Sequence, residues 1–264
     1  MQEPHPDITR EVLLAPRGPR LHPATRVIER DGWYQVVTPG CRDEDLNEVI
    51  QAKGPDPQRF VRETLAQYAA LELPCKWCVM PDSSASLPDM LAPNAARTWR
   101  AAGMFVETSR IVPSPDDVQV TIVKDGRDLE DYCDVVSAGW GGTTWSDRTR
   151  LRAAVESGAR ALFLARWQDQ PAGAAALVRW PESVYLTGAV TLPDFRGRGV
   201  YRATVAARLA MARRDGVALA TTHARCATSA PILERLGFQT AFAYDLFAFE
   251  PPGLSTDSPQ RGPG

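Results

Sequence analysis

The sequence lacks a long apolar run, a charge excess of either sign and a paired set of cysteines. No apolar segment approaches the roughly 20 residues that cross a bilayer, so no membrane-spanning helix is predicted. The net charge of −2 gives no general attraction to nucleic acid or to an anionic membrane. Five cysteines are an odd number, unlike the disulfide framework of a small secreted protein. Residues 1–20 contain no apolar core of signal-peptide length, and a cytoplasmic protein is therefore expected.

Two of the cysteines, Cys75 and Cys78, have the spacing of many metal and redox sites. No second pair follows them, and the segment is typical of a strand. Residues three apart in a strand point to opposite faces of the sheet, so these two thiols are not expected to share a ligand. No metal site is predicted.

Apolar residues make up 44% of the 264 positions, which is enough for one large domain or two small ones. Pro113–Asp117 is a linker signal because prolines and polar residues interrupt the pattern there. The prediction is therefore a flexible arm (1–24), an N-terminal domain (25–112), a C-terminal domain (117–250) and a disordered tail (251–264).

Local patterns predict mixed helices and strands in both halves. In the first half we predict a hairpin at 25–38, helices at 43–53, 56–73 and 87–102, and strands at 75–80 and 104–112. In the second half we predict strands at 118–124, 161–168, 172–180, 184–190 and 217–222, helices at 128–140, 146–157, 200–214 and about 229–236, and final strands from 238. The second half then has the order β-α-α-β-β-β-α-β-α-β-β.

The segment from Arg196 to Gly199 carries the strongest functional signal. It follows a strand and leads directly into a helix, whose first turn has unpaired N–H groups and the positive end of the helix dipole. Glycines let phosphates approach the backbone closely, and Arg196 and Arg198 add positive charge. The sequence predicts a site for a phosphorylated cofactor. It is neither a Walker motif nor a dinucleotide fingerprint, because the third glycine of the latter would stand at Arg202.

The pattern Arg-x-x-Gly-x-(Gly/Ala), preceded by Thr191–Asp194, resembles the pyrophosphate loop of the GNAT acyltransferases. The last position is Tyr201 rather than glycine or alanine. The segment Ser229–Phe238 is similar to the penultimate helix of the same family. With these motifs in the right order, the resemblance covers about residues 117–250.

The resemblance implies an α/β GNAT fold, with a mixed central sheet flanked by helices, and acetyl-CoA as cofactor. It further implies that the N–H groups of Val190 and Leu192 contact the acetyl and pantetheine arm, and that Val190 polarises the thioester carbonyl. The implied cofactor contacts are Val190, Leu192, Arg196, Gly197, Arg198, Gly199, Val200, Tyr201 and Ser229.

The ionisable groups that many relatives use are missing. Leu233 stands where they have a tyrosine that protonates the thiolate, and Val184 where some have a glutamate. His223 and Tyr201 are the candidate catalytic replacements; the alternatives are a strand-end histidine bonded to backbone and a tyrosine that only packs against the cofactor. Catalysis then depends on positioning, with water carrying protons.

Two segments leave alternatives open. The N-terminal half is expected to be a degenerate, cofactor-free copy of the same unit, or else an unrelated extension. The segment Trp140–Trp145 joins two predicted helices at the place where relatives bind the acceptor. It is either a mobile lid with an aromatic wall or a hydrophobic hinge.

The resemblance implies an N-acetyltransferase that acts on an amine of a small molecule or peptide. Antibiotic modification or self-resistance is a common activity of such enzymes, but no residue here indicates it. The alternatives are a non-catalytic acyl-CoA-binding regulatory module and a protein N-acetyltransferase. Neither nucleic acid nor a membrane is an expected partner.

Overall fold

The computed structural model describes residues 8–18, 22–124, 126–141 and 147–251. Contacts divide the chain into two compact units. The unit that we call the C-unit contains residues 103–241 together with the N-terminal segment, and the N-unit contains residues 20–102 together with 242–258.

The described residues form seven α-helices and eleven strands. The helices are α1 (Ile8–Leu14), α2 (Pro57–Ala70), α3 (Leu87–Leu91), α4 (Gly126–Trp140), α5 (Arg148–Glu156), α6 (Val200–Arg214) and α7 (Ser229–Arg235). The strands are β1 (Arg26–Arg30), β2 (Trp33–Val37), β3 (Glu48–Ala52), β4 (Cys75–Val79), β5 (Arg97–Glu107), β6 (Val118–Val123), β7 (Ala161–Trp167), β8 (Gln170–Arg179), β9 (Ser183–Thr191), β10 (Leu219–Arg225) and β11 (Gln239–Phe249).

The sheet of the C-unit has the order β6-β7-β8-β9-β10-β5. Strands β6 to β9 pair antiparallel, and β9 pairs with β10 in parallel. Leu164 packs with α4, whereas its neighbour Ala165 packs with α6. Successive residues of a strand point to opposite faces, so α4 and α6 cover the two faces of this sheet.

The N-unit has a mixed sheet of its own. Strand β3 pairs with β4 in parallel, and the pairs β1–β2, β2–β3 and β4–β11 are antiparallel. Its core contains the rings of Trp33, Phe60 and Trp77, with Trp33 edge-on to the other two. The predicted α/β fold class, with mixed sheets and flanking helices, is confirmed.

Most predicted elements are present, and the helix predicted at 200–214 is confirmed residue for residue. The helix predicted at 43–53 is wrong: Glu44–Leu46 is a 3-10 turn and β3 follows. The side chain of Asn47 accepts from Thr38 N at 2.8 Å and so ends the turn. The next residues then pair with β2 and β4, and this pairing outweighs their local helix propensity.

The helix predicted at 87–102 is also wrong, since α3 ends at Leu91 and β5 begins at Arg97. Ala92–Asn94 forms a 3-10 turn between them, and Pro93 within it lacks the N–H group that would continue the α-helical hydrogen bonds. The alanine-rich run after Pro93 is therefore free to extend as a strand.

The chain ends were also predicted incompletely. Part of the arm predicted at 1–24 is helical, because residues 8–17 form α1 and a 3-10 turn, and Val12 is completely buried. Residues 1–7 and 19–21, and the predicted tail from 252 onward, lie outside the described residues.

A single strand, β11, stands where two final strands were predicted, and its residues 245–249 pair with β4 of the N-unit. The domain boundaries at 25–112 and 117–250 stay predictions.

Candidate functional site

A gap opens in the sheet of the C-unit where two parallel strands stop pairing. The pairing of β9 with β10 covers Ser183–Leu186 and Leu219–Thr222, although both strands continue beyond it. At the last paired position the hydroxyl of Thr222 donates to Leu186 O at 2.8 Å. Crevices at the carboxyl ends of parallel strands are common ligand sites in α/β proteins, and this gap is the candidate site.

Beside the gap, β9 carries a bulge. Val190 is opposite Ala174, but Thr187 is opposite Ala176, so β9 has one residue more than β8 over this interval. Gly188 within it has φ +61°, a left-handed conformation that glycine adopts at little cost. Bulges of this kind change the direction of neighbouring backbone groups.

The amide of Leu192 donates to Ala172 O on β8 at 2.9 Å. Residues of an antiparallel strand alternate between facing their partner and facing away, so Val190 also directs its amide at β8. The amide of Thr191 then points away from β8, toward the gap, and continuing the alternation to the edge of the bulge predicts the same for Ala189. The Leu192 amide is bonded to β8 and not available to the pantetheine arm, contrary to the prediction, and the alternation argues against the predicted role of Val190 in the same way.

The loop before α6 presents backbone N–H groups without a competing cap. Gly197 and Gly199 have φ +75° and +81°. Gly199 is the N-cap residue of α6, and no side chain caps this helix. A Cβ atom at Gly197 would meet nothing within 4 Å, whereas at Gly199 it would lie 2.5 Å from Pro115 Cγ. Uncapped helix N-termini favour anions such as phosphates.

Close packing fixes the position of this helix end. Val200, the first residue of α6, is buried against β8. A Cβ atom at Gly173 of β8 would lie 2.6 Å from Val200 Cγ1, so only glycine permits this approach. Val200 thus anchors the first turn, whose amides point out of the helix end.

The two loop arginines are exposed, and one of them is held by aromatic rings. The guanidinium of Arg198 stacks over Trp167 at 4.1 Å from the ring centroid, and Phe195 lies beside the same ring. Stacking of this kind orients a cation. Arg198 therefore adds directed positive charge next to the loop, while Arg196 continues the loop in extended conformation.

His223 follows the last paired residue of β10. Its Nε2 lies 2.8 Å from the carbonyl oxygen of Val12 in α1, and its ring meets Tyr185 edge-on. A carbonyl only accepts hydrogen bonds, so Nε2 carries a proton. A role of His223 as a base is therefore confined to Nδ1.

Tyr201 lies in the first turn of α6 and is half-buried. Burial raises the pKa of its hydroxyl, and the positive charge of Arg208 offsets part of this rise. The phenol stays protonated at neutral pH, so it is suited to donating a hydrogen bond or a proton rather than accepting one. It remains a candidate acid.

The two positions without ionisable groups are core positions: Leu233 is 1% exposed and Val184 is completely buried. Ser229, at the start of α7, accepts a hydrogen bond from Arg225 N at 3.0 Å and so closes the turn after β10. Next to it, the buried hydroxyl of Thr228 has no hydrogen-bond partner in the described chain. Its sequence context gave no signal for this, and only burial identifies it as a polar group available to a ligand.

Trp140 is the last residue of α4 and lies over the bulge. Its Cη2 atom is 3.6 Å from the place where a Cβ of Gly188 would be. An aromatic ring therefore borders the bulge. Residues 142–145 of the predicted lid lie outside the described residues.

Across the ranges that the structure describes, no group of three or more histidine, cysteine or acidic side chains is arranged to hold a metal ion. Cys75 and Cys78 are buried, and neither forms a disulfide within these ranges. Within the same ranges no helix is both long and apolar enough to cross a membrane.

Comparison with known families gives one match: residues 128–244 match the model of the acetyltransferase (GNAT) domain. That interval contains the gap, the bulge and the loop before α6. A comparison with curated protein sequences gave no significant match.

Solved structures resemble the chain at low sequence identity, which shows the fold alone. A GCN5-related N-acetyltransferase from Kribbella flavida has a TM-score of 0.66 at 18% identity, with 94% of this chain and 96% of that chain covered. A functionally unknown conserved protein from Staphylococcus epidermidis has 0.66 at 13% identity, with 86% and 94% covered. A tandem GNAT protein from the clavulanic acid biosynthesis pathway has 0.55 at 15% identity, with 95% and 89% covered.

Proposed function

We propose that the protein, whose residues 128–244 match the model of the acetyltransferase (GNAT) domain, transfers the acetyl group of acetyl-CoA to an amine of a small molecule or peptide. The observation that carries this proposal is the continuity of the gap between β9 and β10 with the uncapped start of α6. A phosphate-binding helix end and a row of free strand amides then lie along one path.

The pyrophosphate of acetyl-CoA binds the amides of Gly197 to Tyr201 in this proposal. The pantetheine arm runs beside β9, where Thr191 and then Ala189 offer N–H groups. The Thr228 hydroxyl, which is buried without a partner, supplies a further donor on the opposite side. The thioester then lies at the bulge, next to Trp140.

Transfer requires a neutral amine, a donor for the oxyanion and a proton for the leaving thiolate. The Ala189 amide is the donor for the oxyanion. The core residues Leu233 and Val184 cannot move protons, and Nε2 of His223 is committed to Val12 O. Tyr201 is the candidate acid, and water carries the remaining protons, so that positioning supplies most of the rate.

The same features leave one second candidate, a non-catalytic acyl-CoA-binding module. It is favoured by the absence of an ionisable side chain at Leu233 and Val184. Binding and turnover separate the two. A binding module takes up acetyl-CoA and never releases the free thiol, whereas an enzyme releases it in proportion to the acceptor that is added.

For the N-unit we propose a degenerate copy of the same fold that does not bind the cofactor. Its parallel pair β3–β4 is joined by α2, as β9 and β10 are joined by α6. The start of α2 is closed, because the Asp56 carboxylate accepts from Arg59 N at 3.0 Å. No arginine–glycine loop precedes α2.

The test combines calorimetry of CoA binding with an acetyl-CoA turnover assay against a panel of amines. The panel includes aminoglycosides, polyamines, peptides with a free N-terminus and peptides with lysine. Binding together with acceptor-dependent thiol release supports the transferase. Binding without release from any acceptor supports the binding module, and an absence of binding contradicts both.

A further inference from the structure

One cation of the C-unit is buried without an acidic partner. Arg208 of α6 is 1% exposed. Its Nε donates to Thr204 O at 3.0 Å, and its Nη1 donates to Ala176 O at 3.3 Å and to Thr187 O at 3.4 Å. No carboxylate among the described residues pairs with it. An apolar side chain of similar volume would fill this space without burying a charge, so the arginine calls for an explanation.

The carbonyls that Arg208 binds belong to the bulge. Ala176 and Thr187 are opposite each other on β8 and β9, at the edge of the interval where the register shifts. A bulge disrupts the ladder and leaves backbone groups without their usual partners, and buried carbonyls need partners. The guanidinium of Arg208 is such a partner for one carbonyl on each strand, Ala176 O on β8 and Thr187 O on β9.

Arg208 keeps its charge at neutral pH. Burial lowers its pKa to about 10, still well above neutrality. Tyr201 and Tyr132 are the titratable groups that influence it, and each favours the charged form. The bulge is therefore held by a cation on the α6 side of the sheet.

We propose that Arg208 is a positioning residue for acyl transfer: by binding the carbonyls of Ala176 and Thr187 it fixes the bulge and keeps the Ala189 amide directed into the gap. This inference rests on the proposed function. Thr187 is two residues before Ala189, about 7 Å along a strand, so the positive charge also lies close to the place where the oxyanion develops.

The proposal predicts different effects of Arg208 on kcat and on the KM for acetyl-CoA. The loop before α6 binds the pyrophosphate far from the bulge, so the KM for acetyl-CoA depends little on Arg208. An amide that stabilises the oxyanion acts on the transition state, so its misplacement lowers kcat. A role in stability alone would lower the melting temperature and leave the kcat of the folded enzyme unchanged.

The experiment compares Arg208→Met with Arg213→Met. Arg213 is a matched control, since it lies on the same helix and donates to one backbone carbonyl, Thr108 O, at 3.2 Å. For Arg208→Met we expect kcat to fall by about 100-fold, as when one oxyanion donor is lost. In Arg208→Met the KM for acetyl-CoA and the Kd of CoA, measured by calorimetry, should stay within about threefold of the wild-type values. In Arg213→Met both kcat and KM should stay within the same threefold range.

Arg208→Lys is the second variant and decides the question if Arg208→Met does not fold. It retains a positive charge but not the planar guanidinium group. Its kcat should be about 10-fold higher than that of Arg208→Met. Wild-type kcat in either folded variant overturns the inference. If the wild type binds CoA but releases no thiol with any acceptor, the proposed function fails instead, so the two failures are distinguishable.

Discussion

Among the described residues, two β-α-β crossovers join a parallel pair of strands, and they differ at the start of the helix and in the separation of the strands. In the N-unit, β3 and β4 are joined by α2; in the C-unit, β9 and β10 are joined by α6. The helices have similar lengths, 14 and 15 residues. The comparison therefore concerns the ends of the helices and the separation of the strands.

The helix starts differ in what satisfies their amides. Asp56 caps α2 with a carboxylate, and Pro57 follows. Gly199 begins α6 and offers no side chain. A carboxylate at a helix start uses the local dipole and repels a phosphate. The helix start of the N-unit is thus capped by its own side chain, whereas that of the C-unit has no side-chain cap, and we propose that it binds an anion.

The two parallel pairs of strands, β3–β4 and β9–β10, also differ in how closely they are packed. Beside β3, Lys76 of β4 is buried and pairs with Glu48 at 3.1 Å and with Asp45. Trp77 packs with Trp33 and Phe60 in the core of the N-unit. In the C-unit the strands separate and leave backbone amides facing a gap. The same motif therefore forms a packed core in the N-unit and, in our proposal, a binding path in the C-unit.

The largest expected effect comes from closing the open helix. Gly199→Glu should abolish CoA binding, a loss of more than about 100-fold, because the backbone has φ +81°, a Cβ would lie 2.5 Å from Pro115, and the carboxylate repels phosphate. Calorimetry measures it. Gly216→Glu is the control, since Gly216 also has positive φ but lies just beyond the other end of α6. Wild-type affinity in Gly199→Glu would show that the loop is not the phosphate site.

Breaking the closed crossover should cost stability instead. Burial lowers the pKa of Lys76, but Asp45 and Glu48 outweigh burial and raise it well above its usual value. Because the pKa of Lys76 is raised in the folded protein, the stabilisation by its charge is fully present at neutral pH. It is lost only as the pH rises through the pKa that Lys76 has in the folded protein. Lys76→Met removes the buried cation that pairs with Asp45 and Glu48, and unfolding in urea at pH 7 should show a loss of about 3 kcal/mol. An unchanged midpoint, or a changed CoA affinity of the folded variant, would contradict this division of roles.

Removing the candidate acid or base should have a limited effect. Tyr201→Phe and His223→Ala should each lower kcat by no more than roughly 100-fold, the low end for one general acid or base. If His223 acts as the base, His223→Ala should remove a limb of the pH–rate profile, whereas the profile should keep that limb if water carries the protons. A loss above roughly 10,000-fold from either change would rule out catalysis dominated by positioning.

The smallest expected effect sharpens the comparison of the helix starts. Asp56→Ala removes the cap of α2 and should lower the free energy of unfolding by about 1 kcal/mol. CoA affinity and stoichiometry should not change, because an uncapped helix alone lacks the loop glycines and the gap. Urea unfolding and calorimetry check the two parts, and a second molecule of CoA bound per chain would contradict the second.

The sequence was most informative where local chemistry determines the backbone. Glycines 197 and 199 and the break at Pro193 mark a turn and a helix start in any context, so the loop and α6 were predictable. The strands β3 and β5 were not, because their local patterns are compatible with helices. Only pairing with distant strands makes them extended.

The direction of single groups was the least predictable part of the site. The bulge at Gly188 shifts the register by one residue, and with it the set of amides that point away from β8. Arg208 has no motif around it, and only its burial and its two bulge carbonyls reveal it. Val12 of α1, whose carbonyl oxygen contacts His223, lies more than 200 positions before it in the chain. No local sequence pattern could predict this contact.

The central claim is that the crossover of the C-unit, and not that of the N-unit, binds the cofactor. A crystal structure with CoA tests this most directly. The account predicts one CoA per chain, with its pyrophosphate on the amides of Gly197 to Tyr201 and its sulfur beside the amide of Ala189. A pyrophosphate at the start of α2, or a sulfur far from the bulge, would contradict it.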